Sequence, residues 1–181
     1  MNLSKIMQID YEYSNRLRIP PGNGLSGKAA VFFAHSGDSW FWLAGLFIIW
    51  LISGHEWHVR AAMLAGAIVT QAALVLAIKF KVRRSRPPGD WGAIYRNTDP
   101  HSFPSGHATR AFLLALMVWG LGPVWLAVIL TIWAPLVCIA RVSLGVHYLS
   151  DVIVGAFIGL LLGWVCLALQ PLLMVWFPFV F

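Results

Sequence analysis

The sequence contains little charge. Asp, Glu, Lys and Arg make up only 11% of its 181 residues, whereas 59% are hydrophobic and the mean hydropathy is +0.74. Water-soluble domains usually have about a quarter of their residues charged, so this composition argues against an ordinary soluble domain. Ten tryptophans and several long uncharged runs instead indicate an integral membrane protein.

Cysteine is also scarce. Cys138 and Cys166 both lie within apolar runs, and we interpret them as small buried side chains, because a disulfide framework or a thiolate metal site needs more partners. The sequence has no internal repeat, no low-complexity segment and no pattern of a cleaved signal peptide. We therefore expect a single membrane-embedded domain over residues 1–181.

The apolar runs predict an all-α fold: a polytopic transmembrane helical bundle with about five spanning helices. Residues 1–28 contain six charged side chains and are too polar to span, so we predict an N-terminal interfacial helix followed by a loop. The predicted spans cover residues 29–54 with an interruption at 36–38, residues 61–78, two helices within 111–140, and residues 147–177.

The uncharged run from Ala111 to Ala140 is long enough for one helix of about 45 Å, at about 1.5 Å per residue. However, the Gly120-Leu121-Gly122-Pro123 segment inside it is typical of a turn. We therefore predict two antiparallel helices, which return Arg141 to the membrane face that holds His107.

The predicted topology gathers the polar side chains of residues 79–151 on one membrane face. They are Lys79, Arg86, Ser105, His107, Arg141, His147 and Asp151. Taken singly, each has an ordinary explanation as a snorkelling anchor, an interfacial histidine or a structural His–Asp pair. Taken together, three cations, two histidines and a carboxylate at a membrane boundary indicate a functional site.

The segment Ser102-Phe103-Pro104-Ser105-Gly106-His107 predicts the start of a helix, with Ser105 as the N-cap. Gly106 allows a ligand to approach the backbone closely. The free amides and the helix dipole at such an end favour an anion, so this segment indicates phosphate chemistry.

The residue types suit phosphate transfer. Arg and Lys side chains bind phosphate oxygens, and a neutral His147 can attack phosphorus if Asp151 fixes its tautomer. His107 is placed to act as general acid and then as base. The two histidines and the aspartate could also ligate a metal ion, but three neighbouring cations would repel it, so we expect neither a metal nor a cofactor.

These residues resemble the type-2 phosphatidic acid phosphatase family, the membrane relatives of vanadium haloperoxidases. Its motifs are K-x6-R-P, P-S-G-H and S-R-x5-H-x3-D; here they begin at Lys79, Pro104 and Ala140 with matching spacing. The resemblance implies a helical bundle, metal-independent phosphatase chemistry and a phosphohistidine on His147. It also implies that the phosphate is bound by Lys79, Arg86, Ser105, Gly106 and Arg141. Ala140 replaces the family's serine, from which we expect altered affinity rather than a lost reaction.

The resemblance leaves the lipid open among an isoprenyl pyrophosphate, phosphatidylglycerophosphate, phosphatidic acid and a lipid A phosphate. Trp91, Tyr95 and Arg96 are available for headgroup contacts, and the alternative for Trp91 and Tyr95 is the ordinary aromatic belt. We expect the bilayer and a lipid phosphate or pyrophosphate as partners, and no nucleic acid. A non-catalytic lipid-binding or transport protein with the same cationic pocket is the alternative, and a vanadate-dependent haloperoxidase does not suit so short and apolar a chain.

Two indications disagree about which side of the membrane holds the site. The Lys and Arg residues collect on the motif face, and the positive-inside rule would put that face in the cytoplasm. The family resemblance favours an outward-facing site in a bacterial inner membrane, and this is the prediction we adopt.

Overall fold

The structure, a computed structural model, describes residues 3–19, 24–88 and 99–181. These residues form helices and loops, with an isolated bridge between Ser85 and His101 in place of any sheet. The helices are α1 (Leu3–Arg16), α2 (Leu25–Ser36), α3 (Ser39–Ile52), α4 (His55–Val82), α5 (Gly106–Leu121), α6 (Val124–Ser143) and α7 (Leu149–Trp176). The predicted all-α class is confirmed.

Three helices are long and apolar enough to cross a membrane: α4, α6 and α7, with 28, 20 and 28 residues. Helices α3 and α5 are apolar but shorter, with 14 and 16 residues. At about 1.5 Å per residue they fall short of a hydrocarbon core of about 30 Å. The chain is an integral membrane protein, while its total of five spans stays a prediction.

The predicted turn within residues 111–140 is present. Helix α5 ends at Leu121 and α6 begins at Val124. Near the turn, Trp119 Nε1 donates to Thr131 Oγ1 at 2.9 Å, and at the far ends of the two helices Ala108 packs with Val142. The helices are therefore antiparallel, and the last turn of α6 lies beside the first turn of α5.

Helices α5 and α7 pack very closely because three glycines of α7, spaced four residues apart, face α5. A Cβ added at Gly155 would lie 2.8 Å from the Ser105 carbonyl oxygen, and one at Gly159 would overlap the Thr109 carbonyl oxygen. A Cβ at Gly163 would meet the Leu113 carbonyl at 3.3 Å. Small residues at such spacing let two membrane helices approach backbone to backbone.

Helix α1 is docked on the N-terminus of α7. Ser14 Oγ accepts from the Leu149 amide at 2.8 Å, and Asp10 Oδ1 accepts from the Ser150 amide at 3.0 Å. These side chains satisfy amides that have no partner within α7 itself. The predicted N-terminal helix is thus present, and its position at the membrane interface stays a prediction.

The last helix begins later than predicted. His147 lies in the loop before α7, whose N-cap is Tyr148, so His147 and Asp151 do not share a helix face. The reason is a capping interaction, because the Asp151 carboxylate accepts from the Tyr148 amide at 2.9 Å and fixes the helix start there. The loop between α6 and α7 lies at residues 144–148 instead of the predicted 142–146, since α6 continues to Ser143.

We predict that Gly159→Ala destabilises the protein. The added methyl group would force α5 and α7 apart, and overpacking of this kind costs about 1–3 kcal/mol. The measurement is thermal unfolding in detergent. Gly66→Ala in α4 is the matched control, since a Cβ there meets nothing within 4 Å. Equal unfolding temperatures for the two variants would contradict the close packing.

Candidate active site

A cleft lies where α4 and α5 meet the loop before α7. It is lined by polar and charged side chains from several segments, with apolar residues of α4 completing the wall. The polar lining is Ser39, Gln71, Lys79, Asp99, His107, Arg110 and His147, together with Gly106. Four of the residues predicted from the sequence therefore line one cleft: Lys79, Gly106, His107 and His147.

Lys79 and Arg86 converge on one carboxylate oxygen. Lys79 Nζ donates to Asp99 Oδ2 at 2.5 Å, and Arg86 Nη2 donates to the same oxygen at 2.7 Å. Both cations are almost fully buried, so their charge is not screened by water. The oxygen they share marks a position at which an anion is held between two charge-assisted hydrogen bonds.

His147 is 1% exposed and lies against Arg86. Arg86 Nη1 is 3.3 Å from His147 Nε2, and since a guanidinium can only donate, we infer that Nε2 carries a lone pair. The proton then sits on Nδ1, which is 3.5 Å from Asp151 Oδ2. Burial lowers the pKa of His147 well below its usual value, and the charges of Arg141, Arg86 and Lys79 lower it further. The ring is therefore neutral at neutral pH.

Asp151 is fully buried behind His147. Its Oδ1 accepts from Arg84 at 2.8 Å, and its main-chain carbonyl accepts from the Ser105 amide at 3.0 Å. At 3.5 Å from Nδ1 its Oδ2 is at the limit of a hydrogen bond with His147. The carboxylate thus lies beside the ring but forms no hydrogen bond with Nδ1, and its closer partner is Arg84.

Ser105 is the N-cap of α5, as predicted. It is fully buried, and its Oγ accepts from the Ala108 amide at 3.4 Å. This cap places Gly106 and His107 in the first turn, at the positive end of the helix. His107 Nε2 is 2.7 Å from Asp38 Oδ1, at the corner between α2 and α3.

Arg141 lies in the last turn of α6, 1% exposed, close enough to lower the pKa of His147. Ala140, at the position of the family's serine, packs against Ala30 and Ala34 of α2. It is not among the cleft-lining residues, so a hydroxyl here would meet α2.

Sequence reasoning missed three carboxylate and cation partners. Asp38 binds His107, Asp99 binds Lys79 and Arg86, and Arg84 binds Asp151. One signal was available, because Asp38 is a lone carboxylate where two apolar runs meet. Arg84 is one member of the basic cluster at residues 81–86, and Asp99 is one polar residue of a predicted loop, so neither pattern singled them out.

Two further predictions concern the headgroup-binding loop and the absence of a metal ion. Trp91, Tyr95 and Arg96 lie outside the described residues. Among the residues described, no group of three or more His, Cys, Asp or Glu side chains is arranged to hold a metal ion. The absence of a metal from the reaction stays a prediction.

The chain matches a known family by sequence. The profile of the PAP2 superfamily covers residues 60–174. The decaprenylphosphoryl-5-phosphoribose phosphatase of Mycobacterium tuberculosis is 39% identical over 147 residues, which are 79% of this chain and 78% of that protein. The lipid A 4'-phosphatase of Bacteroides thetaiotaomicron is 40% identical over 63 residues, or 34% of this chain and 28% of that protein.

Two solved structures share the fold. The PAP2-type phosphatidylglycerolphosphate phosphatase of Bacillus subtilis superposes with a TM-score of 0.73 at 23% identity, over 92% of this chain and 87% of that one. Aquifex aeolicus LpxE superposes with a TM-score of 0.66 at 25% identity, over 87% of this chain and 92% of that one.

The fold and the cleft together define a helical membrane protein in which buried cations and two histidines meet at one cleft. The sequence match makes the class specific: the chain belongs to the PAP2 superfamily. It is a phosphoric monoester hydrolase and a membrane lipid phosphatase, as the named activities of its relatives show.

We predict that Lys79→Gln moves the acid limb of the kcat/KM profile to higher pH. The charge of Lys79 helps to lower the pKa of His147, so its removal raises that pKa and the ring becomes protonated at a higher pH. The measurement is kcat/KM against pH for both proteins with one substrate, whose own ionisation is then common to the two profiles. Lys81→Gln is the control, because Lys81 is exposed. An unmoved limb would contradict the effect of Lys79 on the pKa of His147.

Proposed function

We propose that this enzyme hydrolyses a phosphate monoester of a membrane lipid through a phosphohistidine on His147. The observation that carries the proposal is the state of the His147 ring. It is neutral, its Nε2 lone pair adjoins Arg86, and it lines the same cleft as Lys79 and His107. A nucleophile with phosphate-binding cations on one side and a proton donor nearby is the arrangement that phosphoryl transfer requires.

The first step forms the intermediate. His147 Nε2 attacks phosphorus, the bond from phosphorus to the lipid oxygen breaks, and that oxygen takes a proton from His107. Arg86 turns from His147 to the phosphate oxygens, where it acts with Lys79 and Arg141. Asp151 stabilises the positive charge of the phosphorylated ring.

The second step releases the product. Water attacks phosphorus, its proton passes to His107, and the bond between phosphorus and Nε2 breaks. Inorganic phosphate leaves, and both histidines return to their starting protonation. The cycle needs no metal and no cofactor, because the side chains supply the nucleophile, the proton and the charge stabilisation.

We infer that the substrate is a phosphorylated headgroup on a polyprenyl-phosphate carrier. The support is the relative with 39% identity over most of both chains, whose name specifies a decaprenylphosphoryl phosphoribose. The lipid A phosphatase matches over a much shorter segment. Isoprenyl pyrophosphates, phosphatidylglycerophosphate and phosphatidic acid are the other members of the test panel.

We predict that the wild-type protein releases phosphate from the polyprenylphosphoryl sugar phosphate in detergent with EDTA present. The rate should fall at least about 1,000-fold in His147→Ala, as expected for removal of a catalytic nucleophile. The measurement is released phosphate across the whole lipid panel. His55→Ala is the control, since His55 is exposed at the opposite end of α4.

A rapid-quench experiment with labelled substrate should trap an acid-labile phosphoenzyme in wild type and none in His147→Ala. Hydrolysis that survives His147→Ala would exclude the proposed nucleophile. Release only when a divalent metal is added would exclude the metal-free reaction. Release from a different lipid alone would show that the proposed substrate is wrong.

We further propose that the site faces outward from a bacterial inner membrane. The basic residues on this face report poorly on topology, because several are engaged by carboxylates: Lys79 and Arg86 by Asp99, and Arg84 by Asp151. The positive-inside rule counts loop cations that remain available to the cytoplasmic surface. The family resemblance then supports the outward orientation.

We predict that Lys81→Cys, in a background with both native cysteines replaced by alanine, reacts with a membrane-impermeant thiol reagent in intact spheroplasts. Lys81 is exposed at the end of α4 that carries Lys79, and His55→Cys marks the opposite end. His55→Cys should react only after permeabilisation. The reverse pattern would place the site in the cytoplasm.

A further inference from the structure

We propose that Asp38 is a positioning residue that orients His107 and stabilises its protonated form during proton transfer. This inference rests on the proposed function, in which His107 is the general acid and base. Asp38 lies 69 positions before His107 in the chain, outside all three motifs. It gives the second histidine a carboxylate partner, as Asp151 does for the first.

The contact between the two side chains is direct. Asp38 Oδ1 lies 2.7 Å from His107 Nε2, and its Oδ2 lies 3.3 Å from His35 Nδ1. The side chains of His107 and Asp38 are only 15% and 21% exposed. Although burial raises the pKa of Asp38, its hydrogen bonds to His107 and His35 outweigh that effect and lower the pKa. The carboxylate is ionised and accepts the Nε2 proton.

This contact determines which ring nitrogen of His107 exchanges a proton with the substrate. With Nε2–H donated to Asp38, Nδ1 is the nitrogen left to exchange a proton, and no described residue forms a hydrogen bond with it. In the first step the proton leaves Nδ1 for the lipid oxygen, and in the second step Nδ1 takes it back from water. The Nε2 proton stays on the ring throughout.

The corner that carries Asp38 is held by the helix that carries His107. Arg110, one turn after His107 on α5, donates from Nε to the Gly37 carbonyl at 2.7 Å and from Nη1 to Ser39 Oγ at 2.5 Å. Gly37 also packs on the imidazole, since a Cβ there would lie 3.0 Å from His107 Cδ2. Asp38 is thus fixed between two residues that are themselves tied to α5.

The charges around His107 explain why a carboxylate is needed. The nearby cationic or titratable side chains are Arg110 on its own helix, Arg141 on α6, and Lys79 and His147 across the cleft, with His35 beyond Asp38. The cations disfavour an imidazolium, and Asp99 is engaged by Lys79 and Arg86. Among the described residues Asp38 is the carboxylate in contact with the ring, so it opposes the effect of burial and of these cations when His107 holds its proton.

The test compares Asp38→Asn with wild type on the best lipid substrate, by kcat, KM and the pH profile of kcat. We expect kcat to fall about 10- to 100-fold, part of the 100- to 10,000-fold that general acid–base catalysis supplies, with KM within about threefold. We also expect the basic limb of kcat to move to lower pH, because the imidazolium loses its carboxylate. In Asp38→Glu, kcat and the pH of the basic limb should both lie between those of Asp38→Asn and wild type. Glu56→Gln, an exposed carboxylate in α4, is the matched control.

A second readout does not depend on turnover. In detergent micelles the titration of labelled histidine, with His107 assigned by loss of its signal in His107→Gln, should have a lower midpoint in Asp38→Asn than in wild type. Asp38→Ser provides the same comparison if the asparagine variant does not fold. An unmoved midpoint would overturn the inference, as would a fall in kcat without a shift of the limb. Wild type that hydrolyses no lipid phosphate would refute the proposed function, and the histidine titration would still decide the role of Asp38.

Discussion

The burial of cations at one end of the bundle is the constraint on which the site depends. Lys79, Arg86, Arg110 and Arg141 are each 5% exposed or less, and a buried charge costs several kcal/mol unless polar partners compensate for it. The compensation comes from chain segments that are distant in sequence. Asp99 serves two of these cations, and main-chain carbonyls serve Arg110 and Arg86. The bundle therefore holds buried positive charge at the cleft, while Lys81 and Arg83 remain exposed at the end of α4.

Close packing joins the segments that carry His107 and His147 into one unit. The glycine face of α7 brings its backbone against α5, and the Ser105 amide donates to the Asp151 carbonyl where the two helices begin. His107 follows Ser105, and His147 precedes the start of α7. The relative placement of the two histidines is thus determined by contact between these helices. Helix α1 strengthens the arrangement by capping α7 with Asp10 and Ser14.

The sequence predicts those parts of the molecule that follow from local chemistry. The Gly122-Pro123 turn and the Ser105 cap are local signals, and both are present. The roles of the motif residues stay predictions, although the structure brings them to one end of the bundle. Asp38 and Asp99 could not be found in this way, because their partners are distant in sequence and no spacing encodes the pairing. The start of α7 was wrong by two residues because a capping carboxylate, not the apolar run, sets it.

Asp99 gives the cleft an anion of its own. Its Oδ2 occupies the point where Lys79 and Arg86 converge. In the proposed reaction a phosphate therefore enters by exchange with this carboxylate. Part of the Coulombic attraction for substrate is spent on displacing the carboxylate, which weakens ground-state affinity. The same carboxylate competes with inorganic phosphate after the reaction. In the proposed reaction this competition favours product release over tight retention of phosphate.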